Sequence, residues 1–347
     1  MSVKTIALLS RLSLHGDFLR KLLSRHYNVV WVGRTFPFRI SSLNVVCILW
    51  LEFWELLFEY RRTRFSLILV QYVSLDSLLA ILFKRLLGVK VALFAVGSDL
   101  LKMSEHTFAY PLVRKAVLSS DLVFCVSSSI EKTLLAIGAD ASVVKVVPSA
   151  IDVDDFQHYD GPKTYDVITI GTLNSNKNQK LLIDACKLLP RSIKVLVIGD
   201  GRMLEPLEAE SKRYGLNIVF ARQIPHKQVL LELQRSKVYV HTSLSEGLPV
   251  AVLEAILAEL PVVLVDSQYV ADIEGVYGFT VHVSEKGSID NLATKIVQVL
   301  EDYEIECQTA LVNKEKLIEL AHRLPIEIRV KLEDAEKNVW NLHNFFR

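Results

Sequence analysis

Two carboxylates, Glu246 and Glu254, stand eight residues apart in the run Ser245-Glu-Gly-Leu-Pro-Val-Ala-Val-Leu-Glu254. Pro249 lies between them, and the apolar stretch continues through Ala255, Ile256 and Leu257. Proline suits the first turn of a helix, where its missing N–H has no partner to lose. The spacing therefore predicts Glu246 in a loop just ahead of a helix and Glu254 about a turn and a half inside it. Helical side chains lean toward the N-terminus, so both carboxylates reach the space in front of the helix. Open N–H groups and the positive end of the helix dipole face that same space and favour phosphate. The pattern thus combines a phosphate seat with two acceptors for sugar hydroxyls. The competing reading is a capped helix with solvated acids.

Other residues extend this chemistry. Gly171-Thr-Leu-Asn-Ser-Asn-Lys177 follows a strand-like run. Gly171 allows close approach of the backbone to a ligand, and Lys177 offers a point charge for phosphate; an ordinary surface lysine is the alternative. Gly97-Ser-Asp99 ends another strand and presents either backbone N–H groups and a carboxylate or a helix cap. Gly16, between His15 and Asp17, allows a loop to touch phosphate or sugar, with capping by Asp17 as the rival. Gly199-Asp-Gly201 lacks the third glycine of a dinucleotide fingerprint and reads as a tight turn. His226 reads as a solvated loop histidine or as a wall beside a nucleobase; His241, nearer Glu246, is the better wall candidate.

Positioning these residues requires strands that end where helices begin. Apolar runs such as Thr5–Leu9, Leu67–Val70, Val89–Ala95 and Leu122–Val126 alternate with helical patterns at Gly16–Ser24, Leu51–Arg61, Leu75–Leu87 and Ser128–Ile137. Continuous apolar strands between helices predict a parallel sheet covered on both faces. After Pro148 the chain turns polar up to Asp160-Gly161-Pro162, and the alternation then restarts at Val167–Ile170. The expected architecture is α/β. Two doubly wound domains, 1–150 and 151–325, face a cleft, with ligands at the carboxyl ends of the strands. Pro325 is expected to open a final helical segment, 326–347, whose aromatic end with Trp340 needs an apolar surface to cover it.

At 347 residues, 51% apolar and 23% charged, the chain is globular and long enough for about two domains. No uncharged run reaches the roughly 18–20 residues of a membrane helix, and the N-terminus reads as a first strand rather than a signal peptide. A cytoplasmic protein, soluble or peripheral at a membrane, is expected. Cys47, Cys125, Cys186 and Cys307 lie in apolar contexts without metal-ligand spacing and read as buried reduced thiols; no metal site is expected. Net charge is +1, but residues 1–150 carry 18 Lys+Arg against 10 Asp+Glu, and the remainder 22 against 29. A basic first half fits an anionic membrane surface or a phosphate-bearing acceptor, or simply a solvated surface. No nucleic-acid motif accompanies it.

Four segments resemble the retaining, nucleotide-sugar-dependent glycosyltransferases of family four, which have the GT-B fold. They are Ser119–Ser127, Val146–Asp152, Ile170–Lys177 and Ser243–Ala255, the last matching the family's two-glutamate motif. The resemblance implies a sugar nucleotide as donor, a hydroxyl acceptor on a glycan or lipid, no required cofactor and no metal. It implies that Lys177 neutralises the diphosphate, that Glu254 holds the ribose hydroxyls and that Glu246 binds the transferred sugar. Backbone N–H groups of Gly247, Leu248 and Val250 would meet the diphosphate or sugar, Pro249 having none to give. The first domain would bind the acceptor, with Gly16 at the family's glycine loop, and the last helix would cross back onto it. Several positions depart from the pattern. Thr172 stands where the family has Arg, and Arg222 or a basic residue of the first domain is the candidate replacement; Val96, Ser149 and Glu259 replace His, Asn and Gly. These departures raise a second reading, a catalytically weak or inactive sugar-nucleotide-binding partner subunit.

Trp50, Trp54 and Phe58 form one helical face followed by Arg61, Arg62 and Arg64. That face is either core or a contact with a membrane that carries the acceptor.

Overall fold

The computed structural model describes residues 4–10, 14–33, 42–97, 100, 110–147, 151, 153, 156 and 158–345. Asp99, Ser149 and Ala150 lie outside these, as do the side chains of His15, Asp17 and Trp340. Contacts divide the chain into two compact units, Met1–Pro148 with Arg323–Arg347, and Ser149–His322.

The first unit runs β1 (Thr5–Leu9), α1 (Leu14–Ser24), β2 (Asn28–Val32), α2 (Ser42–Thr63), β3 (Leu67–Gln71), α3 (Asp76–Leu87), β4 (Lys90–Ala95), α4 (Tyr110–Ser119), β5 (Leu122–Cys125), α5 (Ser128–Ala136) and β6 (Val144–Val146). Its sheet has the order β2-β1-β3-β4-β5-β6, with every neighbouring pair parallel. β3 is buried at all five positions, as expected of a strand covered on both faces. α1 begins two residues earlier than the sequence pattern suggests, so Gly16 lies in its first turn rather than in a preceding loop. α2 is also longer than the Leu51–Arg61 pattern, because the apolar run before it masks the helical period. α4 is not evident from the apolar pattern; Pro111 in its first turn is the mark that could have found it.

The second unit continues with β7 (Tyr165–Ile170), α6 (Gln179–Cys186), β8 (Val195–Ile198), α7 (Leu204–Arg213), β9 (Ile218–Phe220), α8 (His226–Gln234), β10 (Ser236–His241), α9 (Val250–Leu257), β11 (Val262–Val265), α10 (Gln268–Gly275), β12 (His282–Ser284), α11 (Ile289–Glu301) and the first part of α12 (Tyr303–Phe345), whose remainder from Arg323 belongs to the first unit. Its parallel sheet is ordered β12-β11-β10-β7-β8-β9. The chain winds outward from β7 through β8 to β9, then returns to place β10 on β7's other side. The order reverses between β7 and β10, and in open α/β sheets the crevice at such a switch point takes ligands. Val167, Val197, Val240 and Val263 of the strands pack with Leu182 and Ile296 of the helices in one core.

Pro325 does not open a helix. It lies inside the 43-residue α12, two residues after the point where the chain passes from one compact unit to the other. Beyond it, Lys331 Nζ donates to Val146 O of the first unit (3.3 Å). Cys125 and Cys186 are buried as expected, and burial pushes the Cys186 thiol up to about 12. Cys47 is exposed, because it falls on the outer face of α2, and Cys307 is half-buried. No helix of the described residues is long and apolar enough to cross a membrane.

The β7 and β8 turns interlock. Gly171 N donates to Ile198 O (3.0 Å) and Leu173 N to Asp200 O (2.9 Å). Gly199 has φ +147°, and a Cβ there would stand 1.9 Å from Gly171 O. Gly199→Ala is therefore expected to displace the Gly171–Lys177 loop and to destabilise the chain by about 2 kcal/mol or more, read as a lower urea midpoint than that of the unaltered protein.

Candidate functional site

The turns after β7 and β10 meet at the carboxyl edge of the second sheet, where the order reverses. Backbone and side-chain bonds join them. Leu244 N donates to Asn176 O (2.8 Å), Asn176 Nδ2 to Ser245 O (2.9 Å) and Thr242 Oγ1 to Lys177 O (2.8 Å). Lys177 N in turn donates to Asn174 Oδ1 (2.9 Å). These bonds fix the backbone on either side of Lys177 and Glu246, whose Nζ and Oε1 form an ion pair.

Glu246 precedes α9, and Pro249 takes the N-cap position rather than a place in the first turn, with φ −78° and ψ 105°. No side chain caps this N-terminus, so its first N–H groups remain available to an anion. Gly247 and Leu248 are buried in the approach to the helix, and Val250 opens it. Glu254 is 7% exposed in a helix otherwise lined with apolar residues. His226 Nε2 lies 2.7 Å from Glu254 Oε1. Both carboxylates of the motif therefore face a basic side chain.

His241 supports Glu246 from below. It is 2% exposed, and its Nε2 stands 3.6 Å from Glu246 Oε1. Tyr239 hydroxyl lies 2.9 Å from His241 Nδ1. A phenol donating to Nδ1 leaves the proton on Nε2, aimed at Glu246. Tyr269 meets the His241 ring edge-on at 5.7 Å and donates its hydroxyl to Ser243 O (3.2 Å). Burial keeps His241 below its ordinary pKa, hence neutral at pH 7. Burial alone would raise the Glu246 carboxyl. The His241 Nε2–H and the Lys177 ammonium outweigh it and hold Glu246 at about 2.

The structure thus gathers Gly171, Lys177, Glu246, Gly247, Leu248, Pro249, Val250 and Glu254 around one helix N-terminus. Thr172 is exposed on the same turn, and its carbonyl accepts from Gln179 Nε2 (3.2 Å). Arg222 follows β9 at the sheet edge. Its carbonyl accepts from Gly199 N (2.9 Å), and its guanidinium lies 3.7 Å from Glu208. Gly97, φ +123°, and Gly16 belong to the first unit. His226 is the first residue of α8 rather than a free loop residue. Its partner is 28 residues away, beyond the reach of local pattern reading. Tyr239 and His241 share one face of β10 through the two-residue strand period, which could have paired them. Among the described residues, no group of three or more His, Cys, Asp or Glu side chains is placed to hold a metal ion.

A carboxyl held below its unfolded pKa contributes stability fully above that unfolded value and loses it as the pH falls through the folded one. The Lys177–Glu246 pair is therefore at full strength above pH 4.5 and lost toward about 2. In Lys177→Met, burial is opposed by His241 alone. The Glu246 titration, followed by carboxyl NMR, is expected to move upward by about one unit or more.

Comparison with known proteins agrees with this geometry. The family described as "Glycosyl transferases group 1" matches residues 151–327, and "Glycosyltransferase Family 4" matches residues 14–155. One subunit of the phosphatidylinositol N-acetylglucosaminyltransferase of Arabidopsis thaliana is 29% identical over 145 residues, which are 39% of this chain and 32% of that relative. The chain thus spans about a third of this curated relative's length. Sucrose-phosphate synthase of Thermosynechococcus elongatus superposes with a TM-score of 0.81 at 14% identity, covering 96% of this chain and all (100%) of the other. Anabaena HepE, solved in complex with UDP and glucose, gives 0.70 at 16%, again over 96% of this chain and 100% of the other. Two parallel six-stranded sheets with flanking helices match these structures, and the fold is GT-B. The chain belongs to the glycosyl transferases group 1 family.

Proposed function

We propose that this protein transfers a hexosyl-type sugar from a nucleotide diphosphate donor to a hydroxyl acceptor, keeping the anomeric configuration and using no metal. The observation that carries the reading is the cluster of Lys177, Glu246, His226 and Glu254 at an uncapped helix N-terminus. A diphosphate fits between Lys177 and the N–H groups of Gly247, Leu248 and Val250, with Gly171 allowing its close approach. Glu254 takes the ribose hydroxyls and Glu246 those of the transferred sugar. The HepE complexes hold UDP, which makes a uridine donor the first to try.

In the reaction the bond from the anomeric carbon to the diphosphate oxygen breaks, and the acceptor oxygen takes its place. The acceptor proton passes to a phosphate oxygen of the departing group. Lys177 and the helix dipole lower the barrier by neutralising charge on the leaving group. Lys177 is paired to Glu246 before the donor arrives, so diphosphate binding moves its ammonium from the carboxylate to phosphate. Glu246 then keeps His241 Nε2–H as a partner while it accepts a sugar hydroxyl. The first unit is the proposed acceptor-binding half, and its Gly16, Gly97 and Asp99 are proposed contacts to phosphate or sugar. A lipid-linked sugar or glycan presented at an anionic membrane surface, on the cytoplasmic side, suits its basic charge.

The second reading, a partner subunit that binds sugar nucleotide without efficient transfer, is favoured by Thr172. It leaves Lys177 as the single cation of the diphosphate turn. A panel of nucleotide sugars separates the two. Slow donor hydrolysis that falls by about a hundredfold in Glu246→Gln supports transfer. Tight binding without turnover, with every acceptor tried, supports the subunit.

His226 gives a finer test of the ribose assignment. The unaltered protein should bind UDP about tenfold more tightly than 2′-deoxy-UDP, because a buried Glu254 left without its hydroxyl is penalised. His226→Ala should narrow that ratio in calorimetry, whereas His226→Gln, which can still donate to Glu254, should keep most of it. An unchanged ratio in His226→Ala would remove His226 from the ribose site.

A further inference from the structure

Helices α2, α3 and α4 form one layer on the first sheet. α3 packs against both of the others, and Phe53 of α2 meets Phe83 of α3 edge-on with ring centroids 5.5 Å apart. Each helix turns apolar side chains inward, Leu56, Ala80 and Val113 among them. Their opposite faces therefore make up one outer surface.

That surface is unusual in composition. Trp50, Trp54 and Phe58 are 61%, 49% and 66% exposed, and they recur at helical spacing as one stripe. Leu86 of α3 and Leu112 and Leu118 of α4 continue the apolar area. Its exposed charges have one sign: Arg61, Arg62, Arg85, Arg114 and Lys115 face solvent. The acids are withdrawn. Glu52 and Asp76 are buried, Glu55 and Glu59 are half-buried with Glu59 paired to Arg62, and α4 has none. Every exposed residue of the described parts of these helices is apolar, proline, cysteine or cationic. A helix that meets only water mixes both signs, as α7 does by exposing Glu205, Lys212 and Arg213.

We infer that the outer face of α2, α3 and α4 docks this protein on an anionic lipid bilayer. Indole and phenyl rings enter the interfacial region, where amphipathic aromatics concentrate, and the arginines meet lipid phosphates around them. A second copy is a poorer occupant, since an isologous contact would set each cationic surface against another. The inference rests on the proposed lipid-linked acceptor for its purpose alone, because docking is measured without donor or acceptor.

The experiment is cosedimentation of the full chain with vesicles of phosphatidylcholine alone and of phosphatidylcholine with phosphatidylglycerol. Binding to the anionic vesicles should exceed binding to the neutral ones by about tenfold at low salt and fall at high salt. Trp50→Ala with Trp54→Ala should lose about tenfold or more of it. Arg61→Gln with Arg62→Gln should weaken it and flatten its salt dependence. UDP binding by both variants should match that of the unaltered protein, which separates lost docking from lost folding. Three results would overturn the inference: no binding to anionic vesicles, equal binding by the tryptophan variant, or a dimer that ignores vesicles and dissociates when the tryptophans are removed. Vesicle binding without hydrolysis of any donor would count against the transferase and leave the docking face standing.

Discussion

The adjacency of β7 and β10 is the constraint on which the candidate site depends. Two strands and three helices lie between these strands in sequence, yet they pair directly because the second half of the unit returns to the first strand. Parallel pairing sends both carboxyl ends to the same edge of the sheet. The turn carrying Lys177 and the turn carrying Glu246 then have no choice but to meet. Hydrogen bonds between Asn176, Leu244 and Ser245 fix the separation that the strands impose. The ion pair of Lys177 and Glu246 is thus a consequence of topology before it is a matter of side-chain chemistry.

Two acids beside an apolar helix carry a desolvation penalty, and the way it is offset shapes the site. A carboxylate taken from water stays ionised only when cations or N–H donors replace the lost hydration. Glu246 has Lys177 on the open side and His241 Nε2–H beneath; Glu254 has His226. Lys177 and His226 keep partial access to solvent, with side chains 24% and 38% exposed, whereas His241 is buried. The exposed bases can exchange partners with an incoming anion or sugar, and the buried one cannot. The arrangement therefore holds its carboxylates in place before a ligand arrives without closing the seat against it.

Local features of this site were legible in the sequence, and long-range ones were not. Glu246, Pro249 and Glu254 lie within nine residues and announce a helix N-terminus by type and spacing alone. Gly171 and Lys177 follow from the strand end before them. The contact of His226 with Glu254 depends on where α8 and α9 settle against the sheet, which periodicity does not encode. Pro325 misled for a related reason. A proline marks a helix start from local chemistry, but here tertiary packing carries α12 through it. Glu259 is the converse. The resemblance expects glycine there, and the structure gives the reason: φ is +58°, a left-handed conformation costly for a residue with a Cβ. Its ion pair with Lys314 ties the side chain down at that strained position.

The charge split between the two halves also takes on a physical meaning once surfaces are known. A basic half beside an acidic one could have meant that the first supplies cations to the donor's phosphates. Yet Lys177 belongs to the acidic half, and Arg222, the other candidate there, is engaged with Glu208. The excess positive charge of the first half instead appears in part on α2, α3 and α4, interleaved with exposed tryptophan, phenylalanine and leucine. Cations placed to bind a small anion are few, converge on one point and are partly buried. These are spread over a broad face that also carries apolar rings. Such a distribution cannot concentrate charge on one phosphate, but it can meet many at once. On the proposed function and docking, the two halves would divide two electrostatic tasks: a single partly buried lysine and a helix dipole for the diphosphate, and a diffuse cationic surface for an extended anionic one.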